Sequence, residues 1–167
     1  MGRRLPTSFT GKIMPAAAIL LMALATTPAH SASSLAGLNG YWSGGGKITP
    51  LKGGAYKVSC RATYKVASSN LTQNLRCAGG DYKFSSSFSV TVRGSRISGS
   101  WTESTYSASG RMSGSASASS IRATISGDKF SGRMSIKTSG SRQSIYIVEL
   151  DKGSGRYVPV ASISLRK

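Results

Sequence analysis

Two stretches of this chain alternate between apolar and polar side chains with almost no error, and the alternation fixes the class of fold. From Tyr56 to Val66 every second residue is apolar, and Lys, Ser, Arg and Thr fill the positions between. Residues 82–92 repeat the pattern, with Tyr, Phe, Ser and Val at the even-numbered positions. A period of two is that of a β-strand with one buried and one wet face. The sequence therefore predicts an all-β protein with a polar face of Ser, Thr, Lys and Arg.

Turn signals divide the rest of the chain into about ten strands joined by short connections. The predicted strands are 40–49, 55–67, 70–78, 81–93, 96–105, 107–117, 119–127, 129–139, 142–150 and 156–166. The Ser-, Gly- and Ala-rich stretch 104–120 is the least regular of them. A consecutive meander must protect its edge strands, and closure into a barrel does so most simply. We therefore expect an antiparallel up-and-down barrel of about 8–10 strands, with a β-sandwich as the second choice.

The two cysteines predict a register as well as a disulfide. Placing Cys60 opposite Cys77 makes Val66 face Leu71, so that the apolar positions of one strand mostly meet those of the next. A slip of one residue would send these side chains to opposite faces. An even number of cysteines in an exported chain is typical of a disulfide. A Cys60–Cys77 bond between neighbouring strands is the prediction.

Three further two-residue turns predict the pairing of later strands. They are Gly94-Ser95, Gly127-Asp128 and Ser139-Gly140, which have the composition of hairpin turns. The resulting pairs are Phe88 with Trp101 and Ser86 with Glu103 around the first turn, Ile125 with Phe130 around the second, and Ile136 with Gln143 around the third.

The N-terminus is typical of an export signal. Three basic residues within the first twelve positions precede an apolar run, 13–25, and small residues follow near position 30. The run is too short for a stable membrane anchor, although an uncleaved anchor is the alternative. We expect a signal peptide at 1–32, a flexible leader at 33–39 and a single β-barrel domain at 40–167. The protein is then periplasmic or secreted.

The chain is strongly basic, with 22 Lys and Arg against five Asp and Glu and a formal charge of +17. On the predicted polar face Arg61 falls opposite Arg76, and Arg93 falls opposite Arg96. Like charges directly across a sheet are mildly destabilising, so they indicate an anionic partner or a surface kept soluble by charge. The predicted basic surface comprises Lys57, Arg61, Lys65, Arg76, Arg93 and Arg96.

Two features narrow the expected anionic partners: the predicted export of the chain and the residue composition of its polar face. An acidic envelope polymer, a lipid head group or an acidic protein fits an exported chain. Nucleic acid is disfavoured, because the polar face lacks the interleaved aromatic residues that stack on bases.

The residue types needed for catalysis are missing. His30 is the chain's one histidine and leaves with the predicted signal, and both cysteines are expected to be bonded. No pair of carboxylates stands at a spacing that indicates acid–base chemistry. The same residue set excludes ordinary zinc or copper ligation, and five scattered acids do not form a calcium site. We therefore expect no enzyme activity, no metal and no cofactor.

The predicted inward face mixes large aromatic and small residues, for example Phe88 and Trp101 beside Ser86 and Gly99. This mixture is compatible with a hollow interior that holds a small apolar ligand and equally with a dry core. Glu103 shares the inward parity, so it either anchors a ligand near an open mouth or lies in water at a strand end. The candidate interior residues are Trp42, Phe88, Trp101 and Glu103.

The two ends of the chain resemble the lipocalin and calycin group. Leu38-Asn39-Gly40-Tyr41-Trp42 places a Gly-x-Trp on the first strand, and Ile163-Ser164-Leu165-Arg166 closes the chain. The resemblance implies an antiparallel barrel with Trp42 plugging one end and Arg166 or Lys167 packing over it. The leader Ser33-Ser34-Leu35-Ala36-Gly37, with one disulfide, also looks like the bacterial periplasmic metalloprotease inhibitors. That likeness implies a tail presented to a secreted protease.

Together these features predict an exported, non-catalytic binding protein that recognises an apolar small molecule or an anionic envelope component. A protease inhibitor acting through its leader is one alternative, and a small outer-membrane β-barrel is another. The outer-membrane alternative is disfavoured because the chain ends in Arg166-Lys167 and lacks aromatic girdles at both strand ends. We therefore do not expect an integral membrane protein.

Overall fold

The alternation of the sequence is an alternation of burial in the structure, a computed structural model that describes residues 33–167. In the strand from Asn70 to Gly79, for example, every second side chain is buried. A short 3-10 helix, η1, precedes ten strands. The elements are η1 Ser33–Leu38, β1 Gly40–Ile48, β2 Tyr56–Ala67, β3 Asn70–Gly79, β4 Tyr82–Arg93, β5 Arg96–Glu103, β6 Ala108–Ser117, β7 Ser120–Gly127, β8 Ser131–Ser139, β9 Arg142–Asp151 and β10 Arg156–Arg166. The predicted signal peptide, 1–32, lies outside the described residues.

Each strand pairs antiparallel with its neighbours in sequence, and β1 pairs with β10 to close the barrel. The predicted all-β class and closed meander are confirmed, and each predicted strand boundary agrees within two residues. The Ser- and Gly-rich stretch that was expected to be least regular forms β6 and the start of β7. Closure leaves no unpaired sheet edge, which removes the hazard of edge-to-edge aggregation.

The register around the cysteines and the first predicted turn is confirmed. Cys60 pairs with Cys77 and is bonded to it, and Phe88 pairs with Trp101. The disulfide therefore links neighbouring strands β2 and β3 on the inward face, as predicted.

Two later registers were wrong by two residues. Ile125 pairs with Gly132 instead of Phe130, and Ile136 pairs with Ile145 instead of Gln143. A shift of two residues leaves every side chain on its own face, so the apolar pattern does not detect it. The connection sets the register here, and the β8–β9 turn is Gly140-Ser141, with Gly140 at a φ of 56°.

The barrel has two different ends. The plugged end is the one that holds η1, whose Leu35 and Leu38 are buried at 1% and 3% exposure. The segment 33–39, expected to be a flexible leader, is thus part of the core packing. The tyrosine end lies opposite and is named for Tyr56, Tyr82 and Tyr106. Tyr56 stacks on Tyr82 with ring centroids 4.6 Å apart, and the Tyr106 ring lies 6.4 Å from that of Tyr82.

Candidate functional site

The outer wall of the barrel carries a continuous row of arginines. Arg142 on β9 pairs with Arg166 on β10, and Arg166 pairs with Ser43 on β1. Ser43 pairs with Arg61 on β2, and Arg61 pairs with Arg76 on β3. All five side chains are exposed. We call this set the arginine row, and at the usual spacing of strands it is about 19 Å long.

The sequence located half of this row. The opposition of Arg61 and Arg76 was predicted and is confirmed. Arg142 and Arg166 were missed, although both lie on the polar parity of their strands. Their place beside the first pair depends on closure between β1 and β10, and no turn connects those two strands.

Shallow grooves flank the arginine row and meet at Ser43 and Gly44. One groove is lined by Arg61, Arg76 and Lys83, among others, and the second by Arg142, Arg166 and further basic and serine residues. Gly45, the next outward position on β1, has no side chain to fill the wall at this point. The grooves therefore join across β1 into one basic depression.

The remaining residues of the predicted basic surface lie outside the row. Lys57 is exposed and pairs with Lys47. Lys65 is exposed opposite Thr72. Arg93 and Arg96 pair across the β4–β5 turn at the plugged end, as predicted. The structure thus distributes the six predicted basic residues over separate parts of the wall.

The acidic residues are concentrated at the tyrosine end. All five lie in connections at that end or in the strand residues next to them, and they are Asp81, Glu103, Asp128, Glu149 and Asp151. The outer wall around the arginine row is therefore free of carboxylate side chains. Its positive charge is not neutralised locally, which strengthens its attraction for anions.

Inside the plugged half the two aromatic side chains Trp42 and Tyr64 are almost fully buried. Trp42 has 0% exposure, and its indole N–H donates to the carbonyl of Leu38 at 2.7 Å. The Lys167 ammonium lies 5.7 Å from the indole centroid and donates to the carbonyl of Gly37. Trp42 therefore occupies the end of the barrel, with Lys167 rather than Arg166 over its ring.

A buried polar network lies beside Trp42 and was not predicted. The Tyr64 hydroxyl donates to Gln143 Oε1 at 2.7 Å and accepts from Gln73 Nε2 at 2.8 Å. Burial raises the pKa of the Tyr64 hydroxyl well above its ordinary value. Both glutamines occupy inward-facing positions of strands whose other inward residues are mostly apolar. A glutamine at such a position was the sequence signal from which the network could have been predicted.

Inside the tyrosine half several inward-facing side chains keep solvent-accessible surface. Phe84, Phe88 and Phe130 are half-buried and pack against the core. Trp101 is 5% exposed and packs edge-on against Phe130 with centroids 5.8 Å apart. Among residues 33–167, Ser86 Oγ is buried with no hydrogen-bond partner. Ser86 lies between Phe84 and Phe88 on the same face of β4, and its hydroxyl carries the desolvation cost of an unpaired polar group.

Glu103 faces inward at the tyrosine end and is 5% exposed, so it does not lie in water at a strand end. Its carboxylate accepts from the backbone N–H groups of Thr105 and Tyr106 at 2.7 Å each and of Ser85 at 3.3 Å. These bonds hold the β5–β6 turn in place. A carboxylate with this many donors needs no ligand to satisfy it.

Two further acids at this end have shifted pKa values in opposite directions. Burial, and then the nearby Asp151 charge, raises the pKa of Glu149. Hydrogen bonds from Ser154 and Gly153 lower the pKa of the Asp151 carboxyl. Glu149 therefore resists ionisation, whereas Asp151 is stabilised as the anion.

Comparison with known proteins supports the fold. No family model and no curated protein matches the chain. The crystal structure of Rv2717c from M. tuberculosis superposes with a TM-score of 0.68 at 13% sequence identity, covering 84% of this chain and 98% of that one. At this level of identity the likeness extends to the barrel fold and not to the residues of a site.

The disulfide bears on the compartment. A bonded Cys60–Cys77 pair indicates an oxidising, extracytoplasmic environment. Within residues 33–167, no helix is both long and apolar enough to cross a bilayer.

Proposed function

We propose that this chain is an exported, non-catalytic binding protein whose basic outer wall recognises an anionic component of the cell envelope. The observation that carries the proposal is the direct opposition of like charges in neighbouring strands at four places on the wall. The pairs are Lys47–Lys57, Arg61–Arg76, Arg93–Arg96 and Arg142–Arg166. Each lowers the stability of the free sheet, because like charges repel across a ladder. A bound anion converts each repulsion into a shared attraction.

The chemistry of the two faces supports this proposal over an outer-membrane barrel. Outer-membrane barrels carry an apolar band on the outside and polar side chains in the lumen. Here the strands bury the apolar parity, and the exposed parity is built mostly from Ser, Thr, Lys and Arg. The arrangement favours water, not lipid tails, around the wall.

Ligand-induced stabilisation tests the proposal directly. We expect an anionic glycan such as polygalacturonate, or linear polyphosphate, to raise the melting temperature, because a ligand that binds the folded state stabilises it. The rise should shrink with added salt, since screening weakens charge–charge attraction. Neutral dextran of similar length is the matched control. If both polyanions leave melting unchanged at low ionic strength, this function is wrong.

A second candidate function is binding of an apolar small molecule in the tyrosine half. The accessible inward rings of Phe84, Phe88 and Phe130 and the unpartnered Ser86 hydroxyl favour it. We expect apolar probes to change Trp101 fluorescence saturably, and Phe88→Ala to alter the affinity. A Trp101→Phe variant, which keeps Trp42 as its indole, should lose the response. Failure of a broad apolar panel to saturate would eliminate this candidate.

The protease-inhibitor alternative draws no support from the leader. An inhibitory tail must be free to enter an enzyme, whereas Leu35 and Leu38 are buried against the barrel. Withdrawing η1 would also remove the carbonyl that accepts from Trp42.

A further inference from the structure

We infer that the arginine row binds one flexible linear polyanion that lies across the strands and wraps part of the barrel. Its phosphate or carboxylate groups meet the guanidinium groups in turn. This inference rests on the proposed function and names the part of the wall, the shape of the ligand and its chemical class.

The spacing of the row requires a ligand with several anionic groups. The row consists of two arginine pairs, Arg142–Arg166 and Arg61–Arg76, separated by Ser43. Each pair spans one step between neighbouring strands, and the whole row is about 19 Å long. A single small anion reaches one pair at most. An extended chain reaches both, and the intervening Ser43 offers a hydroxyl donor between them.

The curvature of the barrel wall favours a flexible polymer over a flat membrane as the ligand of the arginine row. The row crosses five consecutive strands of a closed barrel of ten, which is four of the ten strand-to-strand steps, and so it covers about two fifths of the circumference. A flat bilayer touches a convex wall along a narrow strip and meets only a few of these side chains at once. A flexible polymer follows the curve and contacts every member of the row.

The shape of the two grooves and the choice of arginine for all four cations also fit a flexible linear polyanion. The two grooves that flank the row join at Ser43 and Gly44, which leaves a path without tall side chains across β1. All four cations of the row are arginines, whose planar guanidinium donates two parallel hydrogen bonds to a phosphate or carboxylate. A lysine in their place would act only as a point charge.

A charge-matched pair of variants tests the row. Arg61→Ser with Arg76→Ser removes one cross-strand arginine pair from the row. Arg111→Ser with Arg133→Ser removes the same charge from exposed positions of β6 and β8 that lie outside the row and outside the four like-charged pairs. With linear polyphosphate as probe, we expect the first variant to bind about tenfold more weakly or worse. For this variant, the slope of log affinity against log salt concentration should become shallower by on the order of one unit. The second variant should stay close to the wild type.

Two further comparisons vary the length of the polyanion and the shape of the anionic surface. We expect affinity to rise from tripolyphosphate to chains that span the row, and then to level off per bound chain. Vesicles containing phosphatidylglycerol should bind more weakly than polyphosphate at equal phosphate concentration. Circular dichroism confirms that each variant is folded.

Each outcome has a distinct meaning. No binding of any polyanion overturns the proposed function and the inference together. Binding that the two double variants weaken equally leaves the proposed function standing and overturns the row. Tighter binding to vesicles than to polyphosphate overturns the flexible chain as occupant. The same holds if tripolyphosphate binds as well as the long chains.

Discussion

The two halves of the barrel interior are built from the same strands and the same parity of residues, yet they are filled differently. In the plugged half, Trp42 and Tyr64 are almost fully buried, and η1 covers them with Leu35 and Leu38. In the tyrosine half, inward-facing rings such as Phe84 keep accessible surface. Alternation places a side chain inside, but it does not seal the interior. At the plugged end a segment from outside the sheet, η1, covers the interior.

Polar groups inside the barrel follow the same division. The Tyr64 hydroxyl, Gln73 and Gln143 satisfy one another in the plugged half. In the tyrosine half, within the described residues, Ser86 Oγ has no partner. A satisfied buried network rigidifies a core, whereas an orphaned hydroxyl carries a desolvation cost. We therefore expect the plugged half to contribute more to stability and the tyrosine half to tolerate change.

The two tryptophans offer the largest test of this difference. Trp42→Ala should destabilise the fold by about 3–5 kcal/mol, since it opens a sealed cavity and removes the partner of the Leu38 carbonyl. Trp101→Ala should cost about 1–2 kcal/mol less, because the rings beside it already border accessible space. Urea denaturation with circular dichroism measures both. Equal losses would show that the two halves are equally well packed.

A smaller test compares two hydroxyl groups. Tyr64→Phe should destabilise by about 1–3 kcal/mol, because it leaves Gln143 Oε1 and Gln73 Nε2 without their buried partner. Ser86→Ala should be neutral or slightly stabilising, since it removes a buried group that has no bond to lose. Both changes delete one oxygen. A loss for Ser86→Ala as large as that for Tyr64→Phe would mean that its hydroxyl has a partner in solution.

The sequence predicted which face each strand residue occupies, but it misplaced two of the hairpin registers by two residues. The pairing of Phe88 with Trp101 follows from a two-residue turn with glycine first, Gly94-Ser95. The β8–β9 turn has the same composition at Gly140-Ser141, and it was placed one residue early as Ser139-Gly140. The early placement shifted the pairing by two residues. The apolar pattern excludes a shift of one residue, and local turn chemistry decides between registers that differ by two.

The arginine row shows why the candidate site was only half predictable. Arg61 and Arg76 belong to one hairpin, so the cysteine register places them together. Arg166 meets Ser43 only because the first and last strands close the barrel. The plug was missed for a related reason. Leu35 and Leu38 stand in a short segment with no strand period, and its docking is decided by the space above Trp42.

The smallest expected effect is a dependence on pH at the tyrosine end. The pKa of Glu149 is raised by burial and by Asp151, so its favourable contribution is complete below its ordinary pKa and is lost as the pH rises through the raised value. Glu149→Gln should therefore raise the melting temperature at neutral pH and change little in acid. Asp151 has a lowered pKa, so its contribution is present above its ordinary value and is lost as the pH falls through the lowered one. Asp151→Asn should lower the melting temperature at neutral pH. Melting curves from acid to neutral pH measure both variants. The same sign for both at neutral pH would contradict opposite roles for these two carboxyls at the less filled end.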